Sequence, residues 1–484
     1  MIDTLTIIWI ALPFFVGFSI YLLPQLARSL ALGVAFVSFG YGLERALAPL
    51  PLNLHLLDRF SVTLIVDSLS GYFIVTNALV TAAIIFYCWH SNKTAFFYTQ
   101  AIILHGSVNA IFISADFISV YVALEVISIA TFLLIAYPRT DRSIWIGLRY
   151  LFISNTAMLF YLIGAVLVYQ ATHSFAFAGL KEAPTEAVAL IFLGLLTKGG
   201  IFISGLWLPL THSESDTPVS AMLSGVVVKA GIFPLVRFAL MLPEIDPLVR
   251  IFGVGTAILG VGYAVFAKDT KRMLAFHTVS QLGFVLAAPE VGGFYALTHG
   301  LVKSALFLTA GNLPSRNIKT LKQTPIPTPM WVALAIASFS ISGFPLLSGF
   351  GAKVLTMKNL LPWQTIGMNI AALGTAISFA KFIFLPHGKN PTAANEDKGK
   401  IKAGFWVAMV LLLGGLVLAN GVYYEAYTVK NIAKPLVTIA LGWLAYFLIF
   451  QRLTLKLPRV PEQFDHLIGT MSLMLTLLFW MVLA

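Results

Sequence analysis

Apolar runs of about 20 residues, long enough to cross a hydrocarbon core as helices, follow one another along nearly the whole chain. Sixteen are predicted, centred near Phe14, Phe36, Val80, Ile103, Ile127, Ala157, Leu195, Val228, Ile258, Phe284, Ser304, Ser340, Thr375, Leu412, Leu441 and Met474. Residues 49–66 alternate apolar and polar positions and predict a hairpin on the membrane surface. Residues 386–402 are polar and make the longest hydrophilic loop. Glycine-rich phrases predict breaks in two of the helices. Gly199 and Gly200 follow Lys198, and Pro345, Gly349 and Gly351 precede Lys353. Irregular backbone at that depth is tolerated only against protein or water.

Composition agrees with this pattern. Of 484 residues, 58% are hydrophobic and 11% charged, against about 25% charged in soluble domains. The fold class is therefore an all-α polytopic membrane protein, with almost no length left for a soluble domain. The net charge of +11 does not indicate a nucleic-acid partner, because the basic residues fall in short loops and not on one face. The single cysteine, Cys88, lies in an apolar run, which excludes a disulfide framework and a thiolate metal site. The opening MIDTLTIIWIALPFF lacks a basic leader and an Ala-x-Ala site and reads as a retained helix.

Charge in the loops predicts orientation. The odd-numbered loops hold Arg28, Lys93, Arg139, Arg142, Lys268, Lys271, Arg272, Arg316, Lys319, Lys322, Lys389, Lys398, Lys400, Lys402, Arg452, Lys456 and Arg459. The even-numbered loops hold Arg45, Arg59, Lys181, Arg250, Lys430 and Lys434. The bias places odd loops in the cytoplasm and both termini on the other side.

Ionisable groups inside a bilayer are costly and usually mark ion or proton pathways. Glu125 falls in the middle of the fifth helix, and Lys198 is its expected partner. A mobile carboxylate would make Lys198 a switchable proton site; a static pair that fixes helix packing is the alternative. Lys229, mid-helix in SGVVVKAGIFPLVRF, reads as the next carrier. His299 and Lys303 are four residues apart, on one helical face, and suit a relay. No carboxylate or thiolate cluster accompanies them, so no metal is expected. Lys353 ends the series. Between the seventh and eighth helices, Pro209, His212, Glu214, Asp216 and Pro218 predict a solvated elbow, with Asp216 as a helix cap. His212 is a candidate for passing protons between the elbow and bulk water. Arg237 reads as an interfacial anchor and Lys381 as a snorkelling side chain. His277 is expected near the cytoplasmic end of the tenth helix, as a possible gate. Glu44, Asp67 and Asp116 carry no expected chemistry.

No phosphate loop, dinucleotide fingerprint, haem ligand pair or cysteine cluster appears, so no cofactor is expected. The phrases ALEVISIATFLL, KGGIFISGLWLPLTHSESDTPVSAMLSGVVVKAG, DTKRMLAFHTVSQLGF, THGLVKSALFLTAG and GFPLLSGFGAK resemble the antiporter-like subunits shared by complex I and the Mrp-type cation/proton antiporters. The resemblance runs from about Val62 to Lys381. It implies a core of fourteen helices with two inverted five-helix repeats and a broken helix in each, here with about two further C-terminal helices. The implied division is 1–95 for the N-terminal helices, 96–242 and 243–388 for the two repeats, each a proton half-channel, and 389–484 for the C-terminal helices.

The resemblance also implies roles. Glu125 matches the family's fifth-helix glutamate, paired with Lys198. Lys229, His299, Lys303 and Lys353 match the residues that carry protons onward. Arg149 stands where many members have lysine, and Gly205 where many have histidine. No long amphipathic lateral helix is visible. The implied function is a D-type subunit of a multisubunit Na+/H+ antiporter, with a proton-pumping subunit of complex I or a membrane hydrogenase as the alternative. A non-conducting scaffold subunit is a third reading. Such a protein is a transporter rather than an enzyme by itself. Its partners would be other membrane subunits, protons, sodium and lipid, with no nucleic acid. Its place would be the inner membrane of a prokaryotic cell, or a thylakoid.

Overall fold

The computed structural model describes residues 2–57, 62–388, 402–453, 455 and 457–483. Arg59, Lys389, Lys398, Lys400 and Lys456, counted above among the loop charges, lie outside the described residues. The helices in chain order are α1 (Ile2–Leu22), α2 (Ala27–Leu47), α3 (Ser68–Tyr87), α4 (Ala95–Ile113), α5 (Phe117–Ile135), α6 (Asp141–Thr172), α7 (Thr185–Gly199), α8 (Leu208–Glu214), α9 (Thr217–Met222) and α10 (Lys229–Met241). They continue as α11 (Asp246–Phe266), α12 (Thr270–Ala287), α13 (Gly292–Ala310), the short α14 (Ile318–Leu321), α15 (Thr328–Ser342), α16 (Ser348–Lys358), α17 (Thr365–Ile383), α18 (Ala403–Asn420), α19 (Val429–Ala445) and α20 (Phe464–Leu483). The alternating stretch between α2 and α3 forms an antiparallel hairpin, β1 (Leu52–Leu57) with β2 (Val62–Val66), as its pattern predicts.

Fourteen of the helical segments are long and apolar enough to cross a membrane, by length and composition. Two of them are composite: Thr185–Glu214 joins α7 to α8, and Thr217–Met241 joins α9 to α10. Two further crossings fail that test for physical reasons. The 18 residues of α12 span about 27 Å, but Lys271, Arg272, His277 and Gln281 dilute its hydropathy. The other is broken into α15 and α16. With these two, the sixteen predicted crossings are all present. The tenth begins earlier than its predicted centre suggests, because Asp269 caps α12 by accepting from the Arg272 N–H at 2.8 Å, which makes the basic TKR phrase the first helical turn.

The two broken crossings share one device. The C-cap of α7 is Gly200, at φ +72°, and the C-cap of α15 is Gly343, at φ +87°. Glycine adopts this left-handed backbone without a Cβ penalty. Phe202 and Leu346, two and three residues on, are also left-handed, at φ +50° and +81°. For bulky residues that conformation is strained.

A second correspondence ties α5 to α12. Asp116 caps α5 by accepting from the Ser119 N–H at 2.7 Å, as Asp269 caps α12. The residue after each cap donates to a loop carbonyl: Phe117 to Phe175 at 2.9 Å and Thr270 to Arg316 at 2.8 Å. Two residues further along that loop, the N–H donates back, from Phe177 to Ala115 and from Ile318 to Lys268, both at 3.0 Å. The second copy comes five crossings after the first, and an odd offset turns it upside down in the membrane. This is the inverted-repeat architecture of an all-α polytopic membrane protein.

The interior of the molecule is α9–α10 and α13, buried along their whole apolar stretches, whereas α19 is 17% buried. α18 packs on α3 and α13, α19 on α17, and α20 on α7. The approach to α20 is held by charge. Arg149 of α6 donates to the carbonyl of Glu462 at 2.6 Å, and the buried Glu462 carboxylate pairs with Arg272. Burial lifts the Glu462 carboxyl above its usual range, although Arg272 acts against it. A raised carboxyl contributes most to stability below the ordinary carboxylate pKa and loses that contribution as pH rises through the raised value. Glu462→Gln should therefore flatten the acid side of the thermal-stability profile between about pH 4 and 7, read by melting of the purified protein in detergent. An unchanged profile would rule out that titration.

Candidate functional site

Lys198 closes the last turn of α7 and is buried. Its Nζ donates to Ser128 Oγ and Ser154 Oγ, each at 2.5 Å, and to the Leu124 carbonyl at 3.3 Å. The expected ion pair with Glu125 is not formed. Two hydroxyls, from α5 and α6, take the ammonium instead, and the half-buried Glu125 lines a side cavity of about 690 Å³ between α5, α6 and α20. Arg149, Asn155 and Phe464 line the same cavity. The Glu125 charge still acts on Lys198 across the gap, so the carboxylate is a neighbour of the lysine and not its hydrogen-bond partner. Gly205, where a histidine route was in question, leaves no room for one: a Cβ there would lie 2.2 Å from the Gly200 carbonyl carbon.

The crossing that carries Lys229 is not a plain helix, as its even apolar pattern suggests. A π-turn at Leu223–Val227 precedes α10. The wider turn leaves carbonyls for the lysine, and Lys229 Nζ donates to Gly225 O at 2.6 Å and Ser224 O at 3.3 Å. It also lies 3.3 Å from His299 Nδ1 on α13. Lys303, one turn on, donates to the Leu274 carbonyl of α12 and stacks over Phe307 at 5.1 Å. Between His299 and Lys353 there is a cavity and no direct hydrogen bond among the described residues. Both line one small cavity with Gln281 and Tyr295, of about 10 Å³, the volume that holds about one water. Lys353 Nζ is buried with no hydrogen-bond partner among the described residues. Lys353 also lines a second cavity, of about 150 Å³, with Lys358, Lys430 and Lys434. The loop charges place that end away from the cytoplasm.

Lys229, His299, Lys303 and Lys353 thus lie along one buried polar seam, and Lys198 shares no hydrogen bond with them among the described residues. Lys198 reaches it through backbone: a Cβ on Gly231 of α10 would lie 2.4 Å from the Gly199 nitrogen. Helices α7 and α10 therefore touch one residue after one lysine and two after the other.

Several expected placements are corrected. His212 is not in a solvated elbow. It is fully buried in α8, its ring 6.2 Å from both Trp207 and Phe307, with neither ring nitrogen partnered among the described residues. Phe307 is also the ring under Lys303, so one aromatic separates the two bases. The Asp216 cap is present, donated to by Thr217 N at 2.8 Å, and Asp216 pairs with Lys93 at 2.5 Å. His277 lies in mid-helix, not at the cytoplasmic end, because α12 starts earlier than predicted. Lys381 does not snorkel: it is buried and donates to Val265 O at 2.6 Å and Ala267 O at 2.9 Å, at the end of α11. Arg237 is no lipid anchor either. It is buried, and it pairs with Asp67 and Ser70 between α10 and α3. Burial pushes the Asp67 carboxyl up, but Arg237 and Ser70 outweigh it and hold it below the usual carboxylate range.

One buried polar network had no sequence warning. His105 contacts Ser38 at 2.9 Å and Thr81 at 3.1 Å, and Asn77 donates to Asn109 at 2.8 Å. These groups satisfy one another among α2, α3 and α4, a register-fixing arrangement. His, Asn and Thr spread over three helices leave no spacing signal in one sequence.

A family described as "NADH:quinone oxidoreductase/Mrp antiporter, TM" matches residues 114–378. A D-type Na(+)/H(+) antiporter subunit of Alkalihalophilus pseudofirmus is 27% identical over 396 residues, 75% of this chain and 80% of that protein. An N-type NADH-quinone oxidoreductase subunit of Desulforudis audaxviator is 28% identical over 432 residues, 79% of this chain and 85% of that protein. Among solved structures, a chain of the archaeal membrane-bound sulfane sulfur reductase superposes with a TM-score of 0.76 at 20% identity, covering 92% of this chain and 100% of that one. A chain of the Mrp complex from a Dietzia species superposes with a TM-score of 0.70 at 20% identity, covering 95% and 98%. At that identity the structures speak to fold alone.

Proposed function

The chain belongs to the NADH:quinone oxidoreductase/Mrp antiporter transmembrane family, and from that premise we propose that it is the proton-translocating D-type subunit of a multisubunit Na+/H+ antiporter. The observation that carries the reading is the contact of Lys229 with His299, and the opening of His299 onto the cavity that ends at Lys353. Protons from the cytoplasm reach the seam by way of Lys198 and His212, pass along Lys229, His299 and Lys303, and leave through Lys353. Each proton held on one ammonium raises the energy of the next, since buried charges a few ångströms apart interact strongly. Glu125 biases Lys198 from the side.

Glu125 also bears on assembly. It is half-buried at mid-span, on a face with exposed Val122, Ile129, Leu148 and Phe152. A carboxylate is costly against lipid, so another membrane subunit covers this face. The alternative is a redox-driven assembly. It is favoured by the match to the N-type oxidoreductase subunit. The same seam serves both.

Purification of the native assembly separates the two. Proton movement in vesicles driven by a sodium gradient alone, with no redox subunits in the mass spectrum, is expected for the antiporter. Iron–sulfur subunits and movement only with an electron donor would replace it with the alternative. Transport unaffected by Glu125→Gln, Lys198→Met and Lys353→Met would reduce the chain to a scaffold.

A further inference from the structure

The seam leaves two buried bases unused: His277 on the interface of α12 with α17, and Lys381 on another face of α17 against the end of α11. α12 and α17 meet at two adjacent turns. Gln281 donates to Thr375 Oγ1 at 3.4 Å, and the rings of His277 and Phe379 are 4.7 Å apart. Gln281 is one turn from His277. It accepts from Tyr295 OH at 2.7 Å and lines the small cavity with His299 and Lys353. Leu274, three residues the other way on α12, offers its carbonyl to Lys303. His277 therefore stands between the central lysine and the cavity that leads to the exit. Both of its ring nitrogens are buried with no hydrogen-bond partner among the described residues. The charged groups that act on it from the packed elements are Lys303 of α13, Lys353 of α16 and Lys381 of α17.

Lys381 lies two residues past Phe379, toward the end of α17. Its Nζ is tied to the last carbonyls of α11, beside the loop that carries Lys268, Lys271 and Arg272. By the positive-inside bias this is a cytoplasmic loop. Lys322, on the next cytoplasmic connection, is the charged neighbour of Lys381. α17 thus carries Lys381 at its cytoplasmic end against α11 and Phe379 against His277 two residues earlier, and α12 continues from His277 to Gln281 and the cavity of His299 and Lys353. By the matching caps of α5 and α12 the counterpart of Glu125 is Thr278, and His277 lies one residue before it, at nearly the same depth but on a different face of its helix.

Resting on the relay reading above, we propose that His277 and Lys381 form a second cytoplasmic proton entrance, which joins the seam inside the second repeat and does not pass Lys198. In each transfer Lys381 receives a proton from the cytoplasmic side and passes it to one ring nitrogen of His277. The other ring nitrogen releases its proton toward Gln281, Tyr295 and the His299–Lys353 cavity. One proton enters and one leaves, and the imidazole returns to its starting state by turning about its side-chain bonds. Phe379, against the ring, limits that turn and serves as the constriction.

The test uses the intact assembly in proteoliposomes, with an imposed pH gradient and an internal pH dye. His277→Phe, which keeps an aromatic against Phe379, and Lys381→Met are each expected to lower proton flux to the same residual rate, the share carried by the Lys198 entrance. The double variant should be no slower than the slower single one, as for two steps in series. Imidazole added to His277→Ala should restore flux, an effect that a packing role would not produce. Normal flux in both single variants, multiplied losses in the double, or no rescue would each overturn the proposal. If His277→Phe does not assemble, His277→Gln takes its place with the same expectations. Lys353→Met is the control for the underlying reading: full flux in that variant would remove the relay itself, whereas a block there with normal flux in His277→Phe removes the branch alone.

Discussion

Lys229→Ala is expected to abolish sodium/proton exchange through the Lys198 entrance in inverted membrane vesicles, by at least about a hundredfold when the second entrance is closed by His277→Phe, with the assembly still intact. Lys229 makes its bonds to two carbonyls of the π-turn and faces one base, His299. Among the described residues no other titratable side chain touches His299 Nδ1, so none can take over the position. The fold should survive because the ammonium is a costly group to bury, and its removal offsets part of the cavity penalty of about 2–5 kcal/mol for a large-to-alanine change. Lys229→Met tests this directly. It fills nearly the same volume without a proton, so packing is retained and the carrier is lost. The two variants should fail alike in exchange, and Met should assemble at wild-type yield. Exchange retained in Lys229→Met with the second entrance closed would mean that protons cross without this residue.

How much of this was legible in the sequence depends on what each feature leaves in a one-dimensional pattern. The crossings were legible because each needs its own apolar run. So were the lysines, since a charge inside such a run is conspicuous. The breaks at Gly200 and Gly343 were legible as glycine-rich phrases, although the left-handed backbone of Phe202 and Leu346 was not. The partner of Lys198 was misjudged. Opposite charges invite pairing on paper, whereas Ser128 and Ser154 are small, common residues whose convergence depends on the crossing of α5, α6 and α7. His212 was misplaced for a related reason: a short segment rich in Pro, Ser and Asp reads as exposed, yet α8 folds back into the interior behind Trp207. Lys381 and Arg237 show the limit of reading by position. A basic residue near a helix end looks like a snorkelling one until the carbonyls of α11 or the carboxylate of Asp67 appear beside it. The repeat was visible only as a family expectation, because its signature is a set of backbone hydrogen bonds around Asp116 and Asp269.

Gly231→Ala should be strongly damaging although it removes no polar group. An added Cβ would lie 2.4 Å from the Gly199 nitrogen, 2.7 Å from its Cα and 2.8 Å from the Leu195 carbonyl. All three are backbone atoms of the last turns of α7, so no side chain can rotate away. The helices must part by roughly an ångström, and overpacking of this kind costs about 1–3 kcal/mol or more. The methyl also lands where the two lysine-bearing helices meet. Just beyond, the chain is equally tight within the broken crossing, where a would-be Cβ of Gly205 lies 2.2 Å from the Gly200 carbonyl carbon. The purified assembly should therefore melt several degrees lower, at about 2–4 °C per kcal/mol if it unfolds as a larger domain does, and exchange should fall even at temperatures where the protein is folded. Gly262→Ala, on α11 with nothing within 4 Å of its Cβ, controls for helix propensity and should leave both unchanged. If Gly231→Ala matched that control in melting and exchange, the close seat of α7 on α10 would be wrong, and with it the backbone step that brings Lys198 to the seam.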